Sequence, residues 1–161
     1  MKPLVLRIVL LGCAGWTLTA WAGPDEEAVE QTIRSAAKAA ATFSDTRDRQ
    51  AILKLYASDY EGVQDGESES RAAIEKWLAD YEAELKQGST LRFIGSVSNL
   101  KTQVQGATAW ARYDYVFQAI RNGEIEGQDV GKCTNLLRKD PSGWVIVHEH
   151  CSKTRLNQDL R

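Results

Sequence analysis

The polarity pattern of the chain changes near Thr90. Before it apolar residues recur every third or fourth position, and after it they alternate. The first spacing marks helices with one buried face, the second marks half-buried strands. Asp25, Glu26 and Glu27 after Pro24 suit a helix N-terminus, where acidic side chains complement the helix dipole. Val29, Ile33, Ala36, Ala37, Ala40 and Phe43 then share a face, which predicts a first helix to about Phe43. Ser44-Asp45-Thr46 breaks it and offers a cap for a second helix, from about Arg47 to Tyr56, with Ile52, Leu53 and Tyr56 on one side. Asp59 to Gln64 reads as a short extended segment ending in the turn Asp65-Gly66. Ser70 is placed to cap a third helix with a wide apolar stripe, Ala73, Ile74, Trp77, Leu78, Tyr81 and Leu85, which Gly88 ends.

The second half reads as four long strands. Leu91 to Leu100 is the first, with a bend expected at Gly95. Gln105-Gly106 turns into a strand from Ala107 to Ile120. It carries Ala109, Ala111, Tyr113, Tyr115 and Phe117 on one face, and Trp110, Arg112, Asp114, Val116 and Gln118 on the other. Asn122-Gly123 is a tight hairpin turn, and Gln128 to Arg138 returns. Asp140-Pro141-Ser142-Gly143 turns once more into Trp144 to Ser152. If that last hairpin closes symmetrically about Ser142, Cys133 falls opposite Cys151, Thr134 opposite His150 and Leu136 opposite His148. Strict alternation then puts Trp144, Ile146, His148 and His150 on one face, and Val145, Val147, Glu149 and Cys151 on the other. The expectation is that the imidazoles aim inward and the sulfurs outward. Helices first and then antiparallel strands is an α+β arrangement: three N-terminal helices packed on a curved, mainly antiparallel sheet.

Composition narrows the class. The chain has 161 residues, enough for one domain with a real core, and its 43% hydrophobic and 26% charged residues are ordinary for a globular protein. A net charge of −2 without any basic block excludes a surface built for nucleic acid. Lys2 and Arg7, an apolar run from Ile8 to Ala20 and the small-x-small site Ala20-Trp21-Ala22 read as a signal peptide over 1–22, leaving a domain over 23–161. The apolar run is too short for a membrane anchor, so no membrane association is expected after cleavage. The alternative is a lipoprotein signal, Leu10-Leu11-Gly12-Cys13 with Cys13 acylated, but its apolar stretch after Arg7 is very short. Cleavage after Ala22 places the domain in the periplasm or outside the cell. There the two remaining cysteines, Cys133 and Cys151, are expected to form a disulfide.

His148 and His150 stand two apart, a spacing that suits two metal ligands or a binding pair on a pocket floor. No carboxylate–histidine set supplies a third ligand, so no metal site is assigned. Each imidazole instead finds a neighbour such as Thr134, Tyr113 or Tyr115. Trp144 reads as core. For Trp77, Tyr81, Tyr113 and Tyr115 a cavity lining competes with plain core packing, because a phenol in an apolar wall needs a partner. Lys132 either meets an anionic ligand or extends to the rim.

The order helix, helix, short strand, helix, strands resembles the SnoaL-like branch of the NTF2-like superfamily. Three stretches carry the likeness: Tyr56-Ala57-Ser58-Asp59-Tyr60 before Asp65-Gly66, Gly131-Lys132-Cys133-Thr134, and Gly143-Trp144-Val145-Ile146-Val147-His148-Glu149-His150-Cys151-Ser152. The last is similar to that branch's closing W-x-I-x-H-x-H-x-S pattern. The resemblance implies a cone-shaped α+β fold with a pocket between sheet and helices, a homodimer formed through the outer sheet face, and a small organic molecule as partner. It implies ligand-binding roles for Tyr60, Trp77, Tyr81, Tyr113, Tyr115, Thr134, His148 and His150. In isomerase and cyclase relatives a carboxylate abstracts a proton next to a carbonyl without any cofactor, and by this likeness Asp59, Tyr60 and His148 are the catalytic candidates. Three functions follow as expectations: small-molecule binding, general acid–base catalysis, or a non-catalytic interaction module with a filled cavity.

Overall fold

A computed structural model describes residues 23–154, so the expected signal peptide over 1–22, with Cys13, and the final seven residues lie outside the described residues. Helix α1 (Pro24–Thr46) begins after Gly23 with the acidic turn Asp25 to Glu27 and buries Val29, Ile33 and Phe43. It outruns the expected end at Phe43. Ser44-Asp45-Thr46 continues the helix, with the Thr46 hydroxyl donating back to the Thr42 carbonyl, and the left-handed Arg47 closes it. The cap of α2 (Arg49–Leu53) is Asp48, whose Oδ1 accepts from the Ala51 N–H at 3.0 Å. This helix is far shorter than its periodicity predicts. The Leu55 carbonyl is drawn into the sheet by the Ile146 N–H at 2.8 Å, and Tyr56 opens a strand instead.

Strands β1 (Tyr56–Gln64) and β2 (Glu67–Ser70) form a hairpin about Asp65-Gly66. The hydroxyl of Ser70 then caps α3 (Arg71–Lys86) as expected, accepting from the Ala73 N–H. Four long strands follow, β3 (Arg92–Gln105), β4 (Thr108–Arg121), β5 (Glu124–Asp140) and β6 (Gly143–Lys153). The sheet order is β2-β1-β6-β5-β4-β3, antiparallel except that β1 runs parallel to β6. The three helices pack on the curved inner face. Val29, Ile33 and Phe43 of α1 meet Leu78 and Tyr81 of α3 and Leu137, Trp144 and Ile146 of the sheet in one core.

Two ladder irregularities shape the sheet. The bend expected at Gly95 is absent from the pairing, because Gly95 sits in regular register with Phe117. The break lies at Asn99, whose φ of 50° is left-handed, between the Ser98 and Lys101 pairs. The second irregularity is in β6. The last hairpin closes on Pro141-Ser142 with Asp140 opposite Gly143 and Leu137 opposite Ile146, then inserts Val147 as an extra residue before Leu136 meets His148. Beyond the bulge the expected pairs return, Thr134 with His150 and Cys133 with Cys151.

The two sulfurs are bonded, with Cα atoms 4.2 Å apart and a sequence separation of 18. Closing a loop of this length stabilises the fold by about 3 kcal/mol in the chain-entropy model. Replacing both cysteines by alanine is therefore expected to lower the urea unfolding free energy by roughly that amount. Mass spectrometry before and after reduction should differ by one disulfide.

Candidate functional site

A cavity of about 470 Å³ lies between α1, α3 and the inner sheet face, within the size range of small-molecule sites. Its α1 wall is Ile33, Ala36, Ala37 and Ala40, whose small side chains leave the space open. The opposite walls are aromatic: Tyr56, Trp77, Phe93, Tyr113, Tyr115 and Phe117. Phe93 stacks on Phe117 at 4.9 Å and meets Trp77 at 5.6 Å, which fixes the ring positions.

Three carboxylates border the cavity, Glu69, Asp129 and Glu149, and the one hydrogen-bonded to a phenol of this wall is Glu149. The Val147 bulge turns it inward. On β5 the buried side chains are Cys133, Asn135 and Leu137, alternating onward from the buried Gly131, and their partners on β6 are Cys151, Glu149 and Ile146. The inward set of β6 thus changes from even to odd numbers across the extra residue. Oε2 of Glu149 accepts from Asn135 Nδ2 at 2.6 Å and from the Tyr113 hydroxyl at 3.2 Å. Among the described residues Oε1 takes no hydrogen bond. Burial pushes the Glu149 carboxyl above its ordinary range; the Asn135 and Tyr113 hydrogen bonds oppose this and the negative Glu69 adds to it. Asn135 is fully buried, and its Oδ1 has no partner among the described residues.

The phenols around Glu149 stay protonated. Burial raises the pKa of Tyr56 and of Tyr113 well above the ordinary tyrosine value, and the charge of Glu149 raises both further. Tyr60 is raised by the same two causes. These side chains are therefore donors, and Glu149 is the group beside them that can take up a proton. Tyr113 donates to Glu149 and Tyr60 to Glu69 Oε2 at 3.2 Å, whereas the Tyr56 hydroxyl has no partner among the described residues. Tyr56 is held in place through its backbone: Arg71 Nη1 donates to the carbonyls of Tyr56 at 2.5 Å and Leu53 at 2.7 Å.

Two glycines make room for these rings. A Cβ on Gly62 would stand 2.3 Å from the Tyr60 hydroxyl oxygen, so that phenol lies across β1 between Glu69 and Glu149, the partners of Gly62 on either side. A Cβ on Gly131 would meet the Tyr115 ring at 2.7 Å and the Ser152 carbonyl at 2.2 Å. At the mouth, Lys153 Nζ stands 3.3 Å from Asp65 and 3.2 Å from Asp129.

The structure corrects several expectations. His148 and His150 do not reach the cavity; His150 is exposed and His148 half-buried on the outer face, beside exposed Thr134 and Leu136. The sulfurs expected outside line the cavity instead. Both reversals have one cause, the bulge, which the alternation from Trp144 and Ile146 ignored. Asp59 also lies outside, exposed and held by the Arg138 guanidinium at 2.9 and 3.1 Å, which lowers its pKa. Tyr81 belongs to the core, its hydroxyl donating to the Leu91 carbonyl at 2.7 Å. Lys132 faces outward onto Asp114 at 2.5 Å, not toward a ligand. Trp77, Tyr113 and Tyr115 do line the cavity, and Tyr60 is buried beneath its floor. Glu149, Asn135 and Tyr56 were missed as site residues. The signal for Glu149 lay on the neighbouring strand, where Cys133, Asn135 and Leu137 alternate with the more water-seeking Lys132, Thr134 and Arg138.

Raising the carboxyl of Glu149 means that the folded state holds this proton more tightly than the unfolded chain does. Its contribution to stability is complete below the ordinary glutamate value and is lost as pH rises through the raised value. The Glu149→Gln variant removes that loss. Its urea stability relative to the parent is expected to grow steadily from pH 4 upward and then level off. A difference independent of pH would show that Glu149 titrates normally.

The family pattern of the SnoaL-like domain matches residues 29–155. Among curated proteins, none matches the sequence. Solved structures share the fold. An NTF2-like protein with a cystatin-like fold from Novosphingobium aromaticivorans is 23% identical, with 81% of this chain and 82% of that one covered at a TM-score of 0.63. The beta subunit of the benzoate 1,2-dioxygenase from Burkholderia mallei is 12% identical, covering 78% and 88% at a TM-score of 0.66. An NTF2-like protein from Pseudomonas putida is 18% identical, covering 84% and 91% at 0.60. A match over nearly all of the folded chain, on a sheet and helices arranged in the same way, makes this chain a member of the SnoaL-like family within the NTF2-like superfamily.

Proposed function

We propose that the cavity binds a small, largely apolar organic molecule and that Glu149 moves a proton on it. The observation that carries this reading is the Glu149 carboxylate itself, enclosed in an aromatic wall with Oε2 held by Asn135 and Tyr113 and Oε1 free. A base so placed abstracts a proton next to a carbonyl, and the unpartnered Tyr56 hydroxyl is a donor for the oxygen on which negative charge develops. This is cofactor-independent isomerase or cyclase chemistry, with the roles first sought in Asp59 and His148 passing to Glu149 and Tyr56. The open volume supports it over a non-catalytic module, in which side chains would fill the cone.

The test is solvent deuterium exchange into a panel of bicyclic and tricyclic enolisable ketones, followed by NMR. Exchange is expected with the parent protein, falling about 100-fold or more in Glu149→Gln and less in Tyr56→Phe. Equal rates in the parent and Glu149→Gln would remove Glu149 as the base.

The proposal includes export, with the mature chain beginning at Gly23 in the periplasm or outside the cell. It also includes a homodimer through the outer sheet face, where Leu136 and Ile94 are 49% and 46% exposed. The intact mass of the protein recovered from the exported fraction should correspond to residues 23–161 with one disulfide. A lipidated species starting at Cys13 would overturn the cleavage site.

A further inference from the structure

The charges around the cavity are lopsided. Among the described residues three carboxylates border it, Glu69, Asp129 and Glu149, against one cation, Lys153. That cation is already committed to Asp129 and, outside the lining, to Asp65. No cation among the described residues lies within ion-pair distance of Glu69 or Glu149. The two stand on one row of the sheet with only Gly62 between them, so their Cα atoms are two strand spacings apart, roughly 10 Å. They differ in how they are satisfied. Glu149 takes two hydrogen bonds from neutral donors, whereas Glu69 takes one, from the Tyr60 hydroxyl. A carboxylate with spare acceptor capacity beside electron-rich ring faces is the environment in which a protonated amine is bound. Two further polar groups on the wall lack partners among the described residues, Oε1 of Glu149 and the Tyr56 hydroxyl, so the cavity is built for a polar guest as well as an apolar one.

We propose that the ligand carries a protonated nitrogen on its apolar body, held by Glu69 on the far side of Gly62 from Glu149, and that anionic ligands are refused. This rests on the cavity being the ligand site. It leaves Glu149 and Tyr56 for the reacting end of the molecule. A carboxylate or phosphate entering instead would face like charges, with no uncommitted cation among the described lining residues to meet it.

Three probes sharing one skeleton test the idea: naphthylethylamine, naphthylethanol and naphthylacetic acid, titrated calorimetrically into the parent protein and into Glu69→Gln. In the parent the amine is expected to bind at least about ten-fold tighter than the alcohol, with the acid weakest. In Glu69→Gln, checked for an unchanged melting curve, the ratio of amine to alcohol affinity should fall close to one. A parent protein that prefers the alcohol or the acid, or a variant that keeps the full amine preference, overturns the amine assignment and leaves the cavity as the site. Failure of all three probes to bind overturns the cavity reading and this one with it.

Discussion

Everything at the site depends on one extra residue in the last strand. Val147 stands outside the pairing of β6 with β5, and the side chains beyond it are turned over relative to those before it. Near the turn this lets Trp144 and Ile146 face the helices, where both are buried. Further along it directs Glu149 and Cys151 to the same interior and leaves His148 and His150 on the outside. Without the bulge, β6 would carry two imidazoles into an apolar chamber and expose a carboxylate and a sulfur. The bulge therefore decides both the packing of the core and the chemistry of the cavity.

The cavity persists because small and large residues are divided between its walls. Alanines on α1 and Gly95 on β3 supply too little volume to fill the cone, while rings on α3, β3 and β4 form a rigid facing wall. Aromatic contacts between Trp77, Phe93 and Phe117 hold that wall without occupying the space. Glycines act at the opposite end. Gly62 and Gly131 are stripped of side chains where Tyr60 and Tyr115 cross their strands, so these phenols reach across the sheet into positions a Cβ would close. The polar end of the site is thus made by absence of side chains as much as by their presence.

A buried carboxyl of raised pKa is a local cost to stability, and the surroundings of Glu149 offset only part of it. Two hydrogen bonds favour its charged form, yet burial prevails. Asn135 adds to the cost, since its amide serves Glu149 with one end and leaves Oδ1 unpartnered at the other. Strain of this kind, kept beside an open cavity, is typical of sites selected for chemistry over packing. The disulfide two residues from Glu149 braces the same segment across β5 and β6.

Much of the architecture is legible in the chain alone because its signals are local. Ser70 as a cap, Asn122-Gly123 as a turn, the inward face of β4 from Ala109 to Phe117 and the pairing of Cys133 with Cys151 follow from short-range geometry. So does the α+β order that marks the family. Long-range competition decided the remainder. Leu55 and Tyr56 left the helix their periodicity suggested because β6 offered their backbone a partner. The bulge at Val147 arose from fitting a two-residue turn at one end of the hairpin to a fixed cysteine pair at the other. Alternation along one strand cannot register such an inserted residue, so whether β6 turns its histidines or Glu149 to the cavity belonged to the assembled sheet.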